Sequence, residues 1–98
     1  MYIIREVFMA KPGQASKLAK LFKKMNMPNS RVMTDMVGPY NTVVMEVETA
    51  SLADWEKEMN DMKSGKADPR MDPKVAEEMS HYTEMYMKGR REIYQILD

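Results

Sequence analysis

Tyr2-Ile3-Ile4-Arg5-Glu6-Val7-Phe8-Met9 opens the chain, and Lys11-Pro12-Gly13 follows almost at once. Side chains of an extended strand alternate between two faces. Tyr2, Ile4, Glu6 and Phe8 therefore share one face, and Ile3, Arg5, Val7 and Met9 share the other. Each face is mostly apolar and each carries one charge. A strand buried on a single face shows a cleaner alternation than this. Two partly covered faces are expected instead, one under the helices of the same chain and one against a second subunit. The pattern is compatible with either set facing the helices.

Outward from this strand the chain alternates between two periods. Proline cannot donate to a ladder and glycine eases the turn, so 11–13 closes the strand. Gln14–Met25 is a predicted helix, with Ala15, Leu18, Phe22 and Met25 on one stripe, Leu21 beside them and the lysines outward. Arg31–Val37 and Thr42–Val47 are predicted strands around the turn formers Gly38-Pro39-Tyr40-Asn41. In the second of them Val43, Met45 and Val47 oppose Val44, Glu46 and Glu48. Ser51 and Asp54 form a capping pair for a helix with the stripe Leu52, Trp55, Met59, Met62, ended by Ser64-Gly65-Lys66. Asp68-Pro69 and Asp72-Pro73 are start signals, aspartate as N-cap and proline at the first helical position. The second is expected to open a helix through Lys88 with the stripe Val75, Met79, Tyr82, Tyr86 and a left-handed cap at Gly89. Glu92–Leu97 is the last predicted strand.

The order β-α-β-β-α-α-β is the ferredoxin-like split βαβ plan with its second crossover broken into two helices. Right-handed crossovers put the helices on one face of a four-stranded antiparallel sheet. The fold class is α+β, and residues 1–98 are expected to form one domain.

Composition narrows the function classes. The 98 residues carry 44% hydrophobic and 31% charged side chains and no net charge, as a globular protein does. No apolar run approaches the ~20 residues of a membrane span, and a charged first strand is unlike a signal peptide. No membrane partner and a cytoplasmic location are expected. Cysteine is absent, which excludes disulfides, thiolate zinc sites and cysteine nucleophiles. Lys11, Lys17, Lys20, Lys23, Lys24 and Arg31 form a basic stretch with no acid among them. Glu46, Glu48, Asp54, Glu56, Glu58 and Asp61 form an acidic one against Lys57 alone. Neighbouring helices with complementary wet faces account for both. No aromatics interleave with the lysines and no glycine-rich phosphate loop is present, so no nucleic-acid partner is expected.

The run Arg5-Glu6-Val7-Phe8-Met9 with Lys11-Pro12-Gly13 resembles the start of NIPSNAP-like proteins. Gly38-Pro39-Tyr40-Asn41-Thr42-Val43-Val44-Met45-Glu46-Val47, followed by Ser51-Leu52-Ala53-Asp54-Trp55, is similar to their hairpin and next helix. The resemblance spans nearly the whole chain and implies the dimeric α/β-barrel superfamily, in which two ferredoxin-like subunits pack sheet against sheet. It implies a homodimer through the sheet faces and a ligand cavity between sheet and helices. The superfamily includes cofactor-free oxygenases, isomerases and haem-degrading enzymes. The haem-degrading branch uses an Asn on the first strand with a Trp and a His. That Asn is missing here, and Trp55 and His81 fall on different predicted helices, so no catalytic set carries over.

The expected ligand-binding residues are Trp55, Tyr82, Tyr86 and Arg5, walls and a polar group suited to a small apolar or aromatic molecule. Core packing is the plain account of the three aromatics, and ion pairing the plain account of Arg5 and Glu6. An alternative is a cofactor-independent oxygenase or isomerase acting on an aromatic or polyketide-like substrate. It would need a proton acceptor in an apolar cavity, for which His81, Glu6 and Tyr82 are candidates, with the Tyr86 hydroxyl beside them. No cofactor is expected, and haem on His81 is a third alternative. His81 stands one predicted turn after Glu77, where an ordinary Glu–His pair suffices, and two ligands make no protein-only metal site. Thirteen methionines include the spacings Met33–Met36 and Met59–Met62, which would suit copper(I), but an adaptable, polarizable core is the plain account of them. No metal is expected.

Overall fold

The computed structural model describes residues 1–25, 27–63 and 72–97, with 62 and 63 described as backbone only. The strands are β1 (Tyr2–Ala10), β2 (Ser30–Thr34), β3 (Thr42–Thr49) and β4 (Tyr86–Gln95); the helices are α1 (Ala15–Lys24), α2 (Leu52–Lys63) and α3 (Pro73–Met79). The strands form one sheet in the order β2-β3-β1-β4, antiparallel throughout. The three helices cover one face of it. This is the α+β, ferredoxin-like arrangement expected of the sequence.

Packing decides which face of β1 points inward. Phe8 and Ala10 join Leu18, Leu21 and Phe22 of α1, Val43 of β3 and Val75 of α3 in the core. Tyr2, Ile4, Glu6 and Phe8 are thus the helix-facing set, and Ile3, Arg5, Val7 and Met9 form the outer face. Leu18, Leu21 and Phe22 are fully buried on the stripe read from the sequence, and Lys23 and Lys24 end α1 where cations complement the helix dipole. Gly13 turns into α1 with φ +79°, a conformation that glycine adopts without strain. Lys24 Nζ reaches Glu78 of α3 at 3.5 Å, so this lysine's partner lies on α3 rather than on the acidic α2.

The largest departures from the expected boundaries are three. β2 stops at Thr34, three residues before Val37. The Thr42 N–H goes to the Asp35 carboxylate at 3.0 Å, and the Asp35 N–H to the Thr42 carbonyl at 3.2 Å. The hairpin closes there, with Tyr40 and Asn41 left-handed at φ 64° and 57°. α3 starts as predicted, the Asp72 carboxylate accepting the Lys74 N–H at 2.8 Å with Pro73 at the first position. It ends at Met79, not Lys88. The Ser80 hydroxyl turns back to the Glu77 carbonyl, and Tyr82–Glu84 form a short 3₁₀ turn.

The chain then enters β4 at Tyr86, six residues before the predicted Glu92. β1 offers a full-length free edge, and β4 pairs along it from Tyr86 opposite Ala10 to Gln95 opposite Tyr2. Gly89 is therefore a strand residue opposite Phe8 and not a helix cap. A Cβ on it would stand 3.1 Å from Phe8 Cδ1 and 3.3 Å from the Val7 carbonyl oxygen. The glycine lets the Phe8 ring lie across β4. Ser51 Oγ accepts the Asp54 N–H at 3.3 Å, the expected cap of α2. Ser64-Gly65-Lys66 and Asp68-Pro69 lie outside the described residues. No helix among the described residues is long and apolar enough to cross a membrane.

Candidate functional site

Glu6 is the one charge on the inward face of β1, and cross-strand register sets it opposite Arg91 of β4. The Arg91 Nε–H donates to the Glu6 carboxylate. Side-chain exposure is 16% for Glu6 and 39% for Arg91, so water screens the pair only from the arginine side. The Arg91 guanidinium carbon also stands 5.0 Å from the centre of the Trp55 ring on α2, within cation–π range. Glu6, Arg91 and Trp55 thus link β1, β4 and α2 on the helix side of the sheet.

Two tyrosines border this group. Tyr82 in the 3₁₀ turn and Tyr86 at the start of β4 have ring centres 5.7 Å apart, and both pack against Phe8, at 6.3 and 4.8 Å. Burial pushes the Tyr82 hydroxyl above the ordinary tyrosine range, helped by Tyr86 and by the charge of Glu6, with Arg91 pulling weakly the other way. At neutral pH Tyr82 is therefore a phenol that can donate a hydrogen bond, not a phenolate base.

Trp55 has a second environment. It lines a groove of about 370 Å³ with Met1, Met27, Val47, Asp54 and Glu58. The apolar walls suit a hydrocarbon or aromatic surface, and the carboxylates oppose an anion.

The sequence-predicted site residues divide between the two faces. Trp55, Tyr82, Tyr86 and Glu6 lie on the helix side. Arg5 does not join them, because its position in β1 puts it on the outer face. His81 sits in the turn after α3 with its side chain 61% exposed, and its Nδ1 is 3.8 Å from Glu84 rather than beside Glu77. A haem ligand needs an apolar pocket around its ring, which so exposed an imidazole does not supply. The acid–base candidates do not converge: His81 faces water, Glu6 is taken by Arg91, and Tyr82 holds its proton. Arg91 was not singled out from the sequence. Its signal is the opposite charge across from Glu6, legible only once β4 begins at Tyr86. Among the described residues no group of three or more His, Asp or Glu could hold a metal ion. Met33 and Met36 are both exposed on the β2 end and its loop, at 37% and 98%.

The outer face carries a row of charges, one from each strand. Arg31 of β2 lies opposite Glu46 of β3, Glu46 opposite Arg5 of β1, and Arg5 opposite Glu92 of β4. Arg31 Nε to Glu46 Oε2 is 3.0 Å, Arg5 Nε to Glu46 Oε1 is 3.4 Å, and Arg5 Nη1 to Glu92 Oε1 is 3.4 Å. Arg5 Nε is buried and misaligned for a hydrogen bond to Glu46. Arg90 adds a contact to Glu92 at 3.5 Å. Val7 and Val44 pair in the next row and are nearly buried, while Met33 and Tyr94 are exposed. The face thus carries apolar side chains on both sides of the charged row, with Glu48, Arg90 and Lys88 opposite Ile3, Val7 and Met9.

No family model matches the chain, and no curated protein matches it. Solved structures do. A NIPSNAP family protein from Agrobacterium tumefaciens superposes with a TM-score of 0.76 at 13% identity, over 99% of this chain and 86% of the other. An uncharacterised NIPSNAP domain protein from Burkholderia xenovorans gives 0.71 at 10% identity, over 99% and 95%. A further Agrobacterium tumefaciens protein gives 0.67 at 14% identity, over 97% and 92%. Identities this low speak for shared backbone architecture and not for shared chemistry. The chain has a NIPSNAP-like, ferredoxin-like fold.

Proposed function

We propose that this protein is a small-molecule binder that works as a homodimer, taking an apolar or aromatic ligand beside Trp55 on the helix side of the sheet. The observation that carries this reading is the double environment of Trp55: Arg91 fixes its ring, and a groove of about 370 Å³ lies alongside it. That volume is within the range of small-ligand pockets. Asp54 and Glu58 favour a neutral or cationic ligand over an anion.

The homodimer reading rests on the outer face, which the helices of the same chain leave uncovered. The half-buried Ile3 and Met9 and the exposed Met33 and Tyr94 give it apolar surface that a second copy would cover.

Trp55 is the one tryptophan of the chain, so its emission reports on the groove directly. Titration with neutral N-phenylnaphthylamine is expected to quench it saturably. The anionic 1-anilinonaphthalene-8-sulfonate is expected to bind more weakly. Unchanged Trp55 emission with both probes, or equal probe binding by a folded Trp55→Leu protein, would overturn the binding reading. A monomer at low micromolar concentration by light scattering would overturn the homodimer.

A further inference from the structure

Antiparallel pairing gathers Ala10 of β1, Thr34 of β2, Thr42 of β3 and Tyr86 of β4 at one end of the sheet. The loop 35–41, which joins β2 to β3 there, is held at its base. The Asn41 carbonyl accepts the Ala10 N–H at 2.8 Å, beside the reciprocal bonds of Asp35 and Thr42. Its tip turns outward. Met36 and Val37 are each 98% exposed and Tyr40 is 83% exposed, and Pro39 is exposed between them. Residues 36–41 include no charge. Met87, next to Tyr86 in β4, adds another exposed apolar side chain at this end. Apolar groups clustered in this way mark a contact surface, whereas single ones scattered over a protein do not.

Cations frame the tip. Lys11 follows β1, and Lys17 lies in the first turn of α1, where Ala15 and Ser16 share a hollow with Met36, Val37 and Tyr40. Lys88 of β4 shares a second hollow with Pro39. All three lysines are exposed, and among the described residues none has an ion pair. Of the acids at this end, Asp35 is turned onto the Thr42 N–H, and Glu84 stands 3.8 Å from His81 Nδ1. Glu48, Asp54 and Glu58 lie at the opposite end, around the Trp55 groove. A chain of zero net charge is thus polarised along its strands.

We propose that the 36–40 tip docks on an anionic lipid bilayer. Met36, Val37 and Tyr40 enter the headgroup boundary, and Lys11, Lys17 and Lys88 meet the lipid phosphates. Lying on a membrane needs no spanning segment, so the expectation of no membrane partner, which rested on the lack of a span, does not bear on it. Anionic lipids attract lysines held near their surface, and tyrosine suits the membrane–water boundary. The charge polarity turns the acidic end away from that surface. The apolar groups project from a loop rather than line a groove, which suits a soft surface that closes around them. The inference rests neither on the Trp55 groove nor on the homodimer reading.

Flotation with vesicles tests the docking. The protein is expected to rise with vesicles of phosphatidylcholine and phosphatidylglycerol at about three to one, and to bind phosphatidylcholine alone roughly tenfold more weakly. Met36→Ser/Val37→Ser and Lys11→Glu/Lys88→Glu are each expected to lower partitioning roughly tenfold. Circular dichroism confirms the folding of both. The chain has no cysteine, so Val37→Cys and Glu56→Cys each carry a single nitrobenzoxadiazole label. With anionic vesicles, emission is expected to shift to the blue from position 37 and to stay unchanged from position 56 on α2. If the parent does not float, or floats with the label at position 37 still in water, the docking is overturned. Flotation undiminished in a folded Met36→Ser/Val37→Ser protein overturns it as well. A parent that does not float, with a Met36→Ser/Val37→Ser protein of lower mass by light scattering, would assign the tip to a contact between copies instead. Should the double variants not fold, the label at position 37 decides.

Discussion

Arg91 sits with its guanidinium carbon 5.0 Å from the centre of the Trp55 ring while its Nε–H is held by Glu6. One side chain thereby fastens α2 to edge strand β4 and its neighbour β1. Arg91→Ala removes both contacts and leaves the nearly buried Glu6 carboxylate without this cation. A loss of about 1–3 kcal/mol in unfolding free energy is expected, measured by urea denaturation. A double-mutant cycle with Glu6→Gln should show coupling of about 1 kcal/mol. Trp55 emission should shift in Arg91→Ala and not in Glu6→Gln. Additive losses with unchanged emission would contradict the linkage.

Gly89→Ala probes the contact between β4 and the Phe8 ring. The new Cβ would lie 3.1 Å from Phe8 Cδ1 and 3.3 Å from a backbone oxygen, and only the ring can give way. Overpacking of this kind costs about 1–3 kcal/mol. The double variant Gly89→Ala/Phe8→Leu should recover part of it, by thermal melting of the three proteins. At a left-handed helix cap the same substitution would cost stability through the backbone instead, and Phe8→Leu would recover nothing.

Gly89 and the tyrosines also show where the sequence was ambiguous. The period of β1, the hairpin signal at 38–41 and the Asp72-Pro73 start were legible because each is local: one strand, one turn, one cap. The end of α3 was not. Tyr82 and Tyr86 stand four residues apart, which satisfies a helical stripe, yet Tyr86 starts β4. The free edge of β1 draws these residues into the sheet, and that edge is contributed by residues more than seventy positions earlier in the chain. The candidate site follows the same division. Trp55, Tyr82 and Tyr86 were visible as aromatics on predicted helix stripes, and Glu6 as one of the two charges within β1. Arg91 was not, because its meaning comes from cross-strand register with Glu6. Arg5 was assigned to the site only because alternation alone leaves the inward face of β1 open.

Asp72 bears on the stability of a helix of only seven residues. Its carboxylate accepts the Lys74 N–H at 2.8 Å and so satisfies one of the first-turn donors. Asp72→Ala should cost about 1 kcal/mol, and Asp72→Asn or Asp72→Ser should restore most of it. Chemical denaturation of the three variants checks the order. A fully stable Asp72→Ala protein would mean that the packing of Val75 and Met79 and the Lys24–Glu78 contact hold α3 in place without the cap.

Tyr82 gives a pH dependence with a definite sign. Burial raises its folded-state pKa above the 10.0 of an exposed tyrosine, with smaller contributions from Tyr86 and Glu6. A raised pKa means that the folded protein binds the phenolic proton more tightly than the unfolded chain does. The associated stability is complete below pH 10 and is lost as pH rises from about 10 toward the folded-state value. Tyr82→Phe has no such proton to release, so its unfolding free energy should fall less steeply than the parent's above pH 10. Below pH 9 the two curves should run parallel. Ultraviolet absorbance at 295 nm should show one fewer late-titrating tyrosine in the variant. A parent and a Tyr82→Phe protein with the same stability slope above pH 10 would place Tyr82 in water, away from the rings of Phe8 and Tyr86.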